Sequence, residues 1–301
     1  MIIDAHIHIG DLRTPENFRR QPVTWESTIT RLDEEGIDKA VFLPEFPSPE
    51  GINAPWFFCP QPDLIGQLKK AAEYPDRIII FGNLDPRMNG NHARADFHWI
   101  LERFIELGCV GIGEVTPNME FDDPRVINMF RQCGEYDLPV TIHAIGAGEG
   151  HYGLYDDPGA PRMERLLQAC PQTVILGHGQ GFWAEIGAGL TAEDKSGYPK
   201  GPIIAEGSLP RLLRAYPNLY GDISAGSGYN ALTRDPEFGL RFIHEFQDRL
   251  LFGTDVCFGE LEGRMPHLGF LRRLLMEGQI SQAVFDKITA GNLLGLLKRY
   301  K

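Results

Sequence analysis

The sequence predicts an α/β protein, a (β/α)8 or TIM barrel forming one domain over residues 1–301, and three observations predict it. Eight short apolar stretches alternate with amphipathic stretches along the whole chain, the rhythm of parallel strands joined by crossover helices. Eight such units in roughly this length are what a closed barrel needs. The third is an asymmetry of connections. Long segments follow strands two, five and six, whereas helix-to-strand links such as Gly36-Ile37, Gly108 and Pro171 are brief, and barrels carry their chemistry on the strand-to-helix side. An open doubly wound sheet is the competing architecture, but the first strand–helix turn lacks GxGxxG and no composition break marks a second domain.

Taken in order, residues 2–9 alternate as a strand, with Asp4, His6 and His8 on one face and Ile3, Ala5, Ile7 and Ile9 on the other. Trp25, Ile29 and Leu32 give helical spacing over 25–35, stopped by Gly36. Further strands are expected at 38–43, 77–83, 109–115, 138–143, 172–178, 218–222 and 249–255. Helices are expected between them at 64–74, 95–107, 123–136, 162–169, 203–215 and 236–246, with a helical tail around 268–276, 282–289 and 292–300.

The composition bounds the function. The 301 residues are 43% hydrophobic, enough for one large core or two ordinary domains. A net charge of −12 without a Lys/Arg-rich run argues against a nucleic-acid partner and for a small-molecule substrate. The five cysteines form no CxxC, which fits reduced thiols in a cytoplasmic protein. The first residues lack the basic and apolar regions of a signal peptide, and no apolar run approaches ~20 residues, so no membrane span is expected. The oligomeric state is left open, a homo-oligomer included.

Two histidines at i and i+2 of a strand place their rings side by side, where both can close on one metal ion; a solvated edge strand is the ordinary alternative. What tips the balance is the set of ligand-type residues at other strand ends: Glu114 on the fourth, His143 on the fifth, His178 on the sixth and Asp255 on the eighth. Singly, Glu114 could be a paired core carboxylate and His178 a satisfied core histidine. Together with His6 and His8 they make six such residues, and clustered buried charges without a cation would cost several kcal/mol. By strand alternation Ile112 should face inward with Glu114, Thr141 with His143, Leu176 with His178, and Leu251 with Asp255.

DAHIHIG, the strand-end Glu114, TIHAIG, LGHGQG, NLYGDIS, LLFGTD and the closing ITAGNLLGLL together resemble the amidohydrolase superfamily, specifically its amidohydrolase-related branch, end to end. The resemblance implies a metal-dependent barrel in which His6, His8, His143 and Asp255 hold a catalytic ion, most simply zinc. In one-metal members, such as the non-oxidative decarboxylases, the strand-six histidine is an acid/base or electrophile, which would be His178; in two-metal members it binds a second ion. Glu114, in GIGEVTP, resembles the strand-four glutamate of TatD-like hydrolases and would bridge two ions, with His143 and His178 towards the second. Such an ion lowers the pKa of its water to about 7 and polarises a carbonyl or phosphoryl oxygen. Asp255 would then move the water's proton to the leaving group, and His178 would steady the oxyanion.

Asp222 and Ser224 face inward by parity and could orient a histidine, or simply cap the next turn. Asp4 reads as structural, tying the bottom of the first strand. Trp56, Phe57, Phe58, Tyr152, Tyr155, Phe182 and Trp183 could wall an apolar or aromatic pocket, or pack loops onto the rim. Arg87 and Arg264 are the cations placed to grip a substrate carboxylate, unless they pair with surface acids. Cys257 lies near the site and reads as packing. The leading reading is hydrolysis of an amide, ester or lactone bond in a small, carboxylated molecule. Its rivals are non-oxidative decarboxylation of an aromatic or unsaturated acid, a TatD-like phosphoesterase, and a binding barrel that has lost catalysis.

Overall fold

Side-chain alternation sorts most strand residues into two apolar layers, one inside a ring of strands and one between that ring and the helices. In the computed structural model, which describes residues 1–12, 21–44, 58–59, 63–146, 152–259 and 265–300, the ring strands are β1 Ile3–Ile7, β2 Lys39–Phe42, β3 Ile78–Ile80, β4 Ile112–Val115, β5 Val140–Gly146, β6 Ile175–His178, β7 Leu219–Asp222 and β8 Leu250–Leu251. Val41, Leu43, Ile79, Phe81, Leu176 and Leu251 pack inside, with Ala290, Leu293 and Leu297 of the C-terminal segment alongside them. Phe42, Ile78, Ile80, Val140, Ile175 and Leu250 face the helices. These helices include α1 Trp25–Glu35, α2 Leu64–Ala71, α3 His98–Glu106, α4 Pro124–Glu135, α5 Pro161–Ala169, α6 Ser208–Ala215, α7 Pro236–Phe246 and α8 His267–Met276.

All pairings within the ring are parallel, β1–β2–β3 in one ladder and β4–β5–β6–β7–β8 in the other. The ladders meet at both edges. Beside β3, Gly82 bridges to Ile112, with Val110 N donating to Ile80 O at 2.9 Å and Gly113 N to Gly82 O at 2.8 Å. Beside β8, Ile7 bridges to Val256, with Ala5 N donating to Phe252 O at 2.8 Å and Asp255 N to His6 O at 2.9 Å. The predicted barrel is therefore present, its two seams carried by a few bonds each.

Local sequence explains most boundaries. Thr24 and Ser27 form a reciprocal cap at the start of α1, and Gly36 ends it at φ +67°. Asp123 and Asp235 cap α4 and α7, each followed by proline in the first turn. Most strands come out shorter than expected, β8 most of all, while β5 runs on to Gly146. A helix at Ala225–Thr233 was not expected: AGSGYNALT has poor helix formers, and its stability comes from packing against the helix Gln180–Trp183 and α7. Leu154–Asp156 is a further unexpected strand, adding to β5. The tail is one bent run, Gln282–Asp286 passing through a π turn into Asn292–Leu296. Among the described residues no helix is long and apolar enough to cross a membrane.

Candidate metal centre

Two of the ring strands break their alternation beneath a site residue. On β1, Asp4 pairs with Ala40 but Ile7 pairs with Phe42, so three steps on β1 match two on β2. This bulge corrects the expected shared face. Ile3 and Ala5 lie in the inner layer and Ile7 in the outer one, while His6 turns to the ring centre. Asp4 points away from it, accepting from Arg31 Nη2 on α1 at 3.0 Å, from Thr254 Oγ1 at 2.6 Å and from Thr254 N at 2.8 Å. It ties β1 to α1 and to the end of β8, a structural role.

The second bulge is on β4, where Ile112 pairs with Val140 and Val115 with Ile142. Ile112 therefore packs in the outer layer, not with Glu114. Gly113 (φ +148°) allows it: a Cβ there would lie 2.7 Å from Thr141 Cβ and 2.9 Å from Thr141 O. Asn83 Nδ2 donates to the Glu114 carbonyl at 3.0 Å and to Pro44 O at 2.7 Å, holding the bulge to its neighbours. His143 and His178 need no such device, being direct register partners on β5 and β6.

The six strand-end residues meet. His6 Nε2 and His8 Nε2 are 2.9 Å apart. Glu114 Oε2 lies 3.7 and 3.5 Å from these two nitrogens, and Asp255 Oδ1 lies 3.6 and 3.4 Å from them. The other oxygens face the other histidines: Glu114 Oε1 is 2.8 Å from His143 Nδ1 and 3.7 Å from His178 Nε2, and Asp255 Oδ2 is 3.5 Å from His178 Nε2. Both carboxylates thus span two groups of imidazoles.

The far nitrogens are fixed from behind. His6 Nδ1 donates to Asp222 Oδ2 at 2.6 Å, His8 Nδ1 to Leu43 O at 3.0 Å, and His178 Nδ1 lies 2.8 Å from Ser224 Oγ. Asp222 and Ser224 are the orienting residues that strand parity suggested, and Ser224 N also donates to Asp222 Oδ1 at 3.0 Å. Gly253 completes the fit, since a Cβ there would meet Asp222 Oδ1 at 2.7 Å and His6 Cβ at 3.1 Å. Asp255 sits at φ +56°, a left-handed conformation that Asp and Asn adopt more readily than other L-residues. Cys257 Sγ lies 3.5 Å from Asp255 Oδ1, against the site without entering it.

These bonds leave a charge problem. With Nδ1 protonated on both, neutral His6 and His8 would point lone pairs at each other across 2.9 Å. The surrounding carboxylates supply negative potential in a buried space. Burial pulls His6 down, but Asp255 and Asp222 more than offset it and push its pKa up to about 10. Burial likewise opposes ionisation of Glu114, Asp255 and Asp222, yet the facing histidines hold all three below the ordinary carboxylate range. The cluster calls for a positive charge between its nitrogens. Three overlapping triads could hold a metal ion, His6–His8–Glu114, His6–His178–Asp255 and Glu114–His143–His178, each with ligand atoms within 4.8 Å of one another. The donor set, imidazole nitrogen and carboxylate oxygen, fits a divalent ion.

The expected substrate residues fare differently. Trp183 is 1% exposed in the outer layer, its Nε1 donating to Asp222 O at 2.8 Å. Phe182 packs beside it over Gly177. Both are consumed by joining the segment after β6 to the ring. Arg87 is forked onto its buried neighbour Asp85, at 2.9 and 2.5 Å. Tyr152 lies against His143, ring centroids 4.4 Å apart, while Tyr155 belongs to the added edge strand. Trp56, Phe57, the side chain of Phe58, and Arg264 fall outside the described residues. Sequence reasoning missed Asn83, though FGNLD puts a polar residue at a strand end, and it missed Gln180 and Tyr198 at the mouth. Gln180 had a signal in GHGQG; Tyr198 had none.

A family model described as amidohydrolase matches residues 3–294. The chain belongs to the amidohydrolase family. Its members are metal-dependent enzymes, and this one carries the histidine–carboxylate cluster at the carboxyl ends of its strands. Three solved structures are similar in fold. An uncharacterised TIM-barrel protein from Bordetella bronchiseptica has a TM-score of 0.65 at 16% identity, covering 99% of both chains. A probable 2-pyrone-4,6-dicarboxylic acid hydrolase from Acinetobacter baumannii, with citric acid bound, has a TM-score of 0.57 at 14% identity over 98% of both. A 2,6-dihydroxybenzoate decarboxylase from Rhizobium has a TM-score of 0.54 at 15% identity over 98% of this chain and 99% of that one. No curated protein sequence matches the chain.

Proposed function

We propose that this amidohydrolase is a two-metal hydrolase that cleaves an amide, ester or lactone bond in a small, carboxylated molecule. The observation that carries the reading is the splayed Glu114 carboxylate, one oxygen facing His6 and His8 and the other facing His143 and His178. A single-ion decarboxylase has no need of that bridge. His6, His8 and Asp255 would hold one zinc ion, His143 and His178 the other, with Glu114 between them. Bound zinc would supply an activated water at neutral pH and polarise the scissile carbonyl. Asp255 takes the proton of the attacking water and passes it to the departing nitrogen or oxygen, so that the C–N or C–O bond breaks into an acid and an amine or alcohol. Ser224 keeps His178 Nε2 turned to the cluster, where it would hold the ion that steadies the developing oxyanion. The dicarboxylic substrate named for the Acinetobacter relative supports the substrate class, and zinc is the simplest ion for this donor set.

The Rhizobium relative keeps a second reading in view, loss of CO2 from an aromatic acid. Zinc-loaded protein screened against lactones, N-acyl amino acids and aromatic carboxylates separates the two, hydrolysis products supporting the first and CO2 the second. Asp255→Asn should keep the fold, because asparagine also tolerates the left-handed backbone, and should lower kcat by about a thousandfold or more. Retained turnover in that variant would remove Asp255 from the proton path.

A further inference from the structure

Tyr198 comes from the long segment between β6 and α6, and its phenol reaches the segments that follow β6 and β7. Gln180 Nε2, two residues beyond His178, donates to the phenol oxygen at 3.4 Å. From the other side, a Cβ on Gly226, two residues beyond Ser224, would lie 3.5 Å from the same oxygen. The phenol therefore hangs between the carboxyl ends of β6 and β7, above the residues that orient His6 and His178. Its side chain is 48% exposed, unusual for a large ring in a chain that buries most of its aromatics. Burial, and then the nearby Asp255 carboxylate, push the phenol's pKa above its ordinary value, so its proton stays on at neutral pH.

The bookkeeping of donors gives this placement a use. A phenol has one proton to give, and Gln180 already fills an acceptor position on its oxygen, leaving the O–H to be donated elsewhere. The centre below is ringed by carboxylates, and Arg87 is committed to Asp85. A substrate bearing an anionic oxygen needs a donor at the mouth, and a neutral O–H provides one without drawing the proton-accepting carboxylate of Asp255 into an ion pair.

We propose that Tyr198, held by Gln180, is a substrate-binding residue that donates its O–H to a carboxylate of the substrate while the scissile bond lies against the Glu114–Asp255 centre. This rests on the hydrolase reading for the substrate class, but its test reads binding alone. Calorimetric titration of zinc-loaded wild type and Tyr198→Phe with benzoate, citrate and the uncharged benzamide isolates the hydroxyl, since phenylalanine keeps the ring. The variant should bind both carboxylates about tenfold or more weakly, bind benzamide within about twofold of wild type, and carry the same zinc per chain. Equal carboxylate affinities in the two proteins, or a parallel loss for benzamide, would overturn the assignment. Failure of the hydrolase reading would show instead as absent hydrolysis by the wild type, with this comparison still decisive.

Discussion

At the scale of single residues, the centre is organised by what stands behind each ligand. Leu43 O and Asp222 fix which nitrogen of His8 and His6 carries a proton, and that choice turns two lone pairs towards one point. Without an ion, an added proton on His6 relieves the clash, and its pKa is raised to about 10 against an ordinary value of 6.5. A raised pKa contributes stability that is fully present below the unfolded value and is lost as pH climbs through the folded one. Chelated protein should therefore show a Tm that falls between pH 6.5 and about 10, whereas zinc-loaded protein should hold its Tm there because that nitrogen no longer binds a proton. Glu114, Asp222 and Asp255 act oppositely: their lowered pKa values stabilise above the ordinary carboxylate range and that contribution is lost in acid. Thermal melts across pH, with and without chelator, check both limbs; a flat chelated profile would contradict the arrangement.

At the scale of elements, the two bulges matter more than strand length. Each inserts a residue under a ligand, His6 on β1 and Glu114 on β4, and re-aims a side chain that strict alternation would have left otherwise disposed. Gly113→Ala tests this, because its Cβ would collide with Thr141 at a backbone angle that L-residues avoid. The substitution should cost about 2–3 kcal/mol in urea unfolding and weaken zinc binding through Glu114; an unchanged midpoint would contradict the packing. The sequence revealed that His6 and Glu114 sit at strand ends, but not the bulges, since a period-two pattern has no term for an extra residue. It missed Ala225–Thr233 for the opposite reason, weak local propensity rescued by tertiary contacts. The aromatic residues misled because Phe182 and Trp183 look alike as pocket walls and as packing, and only burial separates the two.

At the scale of the whole molecule, the barrel makes the site. Residues from position 6 to position 255 converge because eight parallel strands present their carboxyl ends at one rim, and that much was legible from the βα rhythm and the strand-end ligands. The seam between β1 and β8 lies directly under the centre: Asp255 N donates to His6 O, and Asp4 holds Thr254. Closure of the ring therefore brings the β1 and β8 ligands together, His6 and His8 facing Asp255 across that seam. On the proposed reading these side chains hold divalent ions, with Glu114 shared between two of them. Metal analysis of zinc-reconstituted, extensively dialysed protein is the decisive check. About two zinc ions per wild-type chain and about one or fewer in Glu114→Gln are expected; wild-type protein that retains no metal, or a variant that retains as much as wild type, would contradict it.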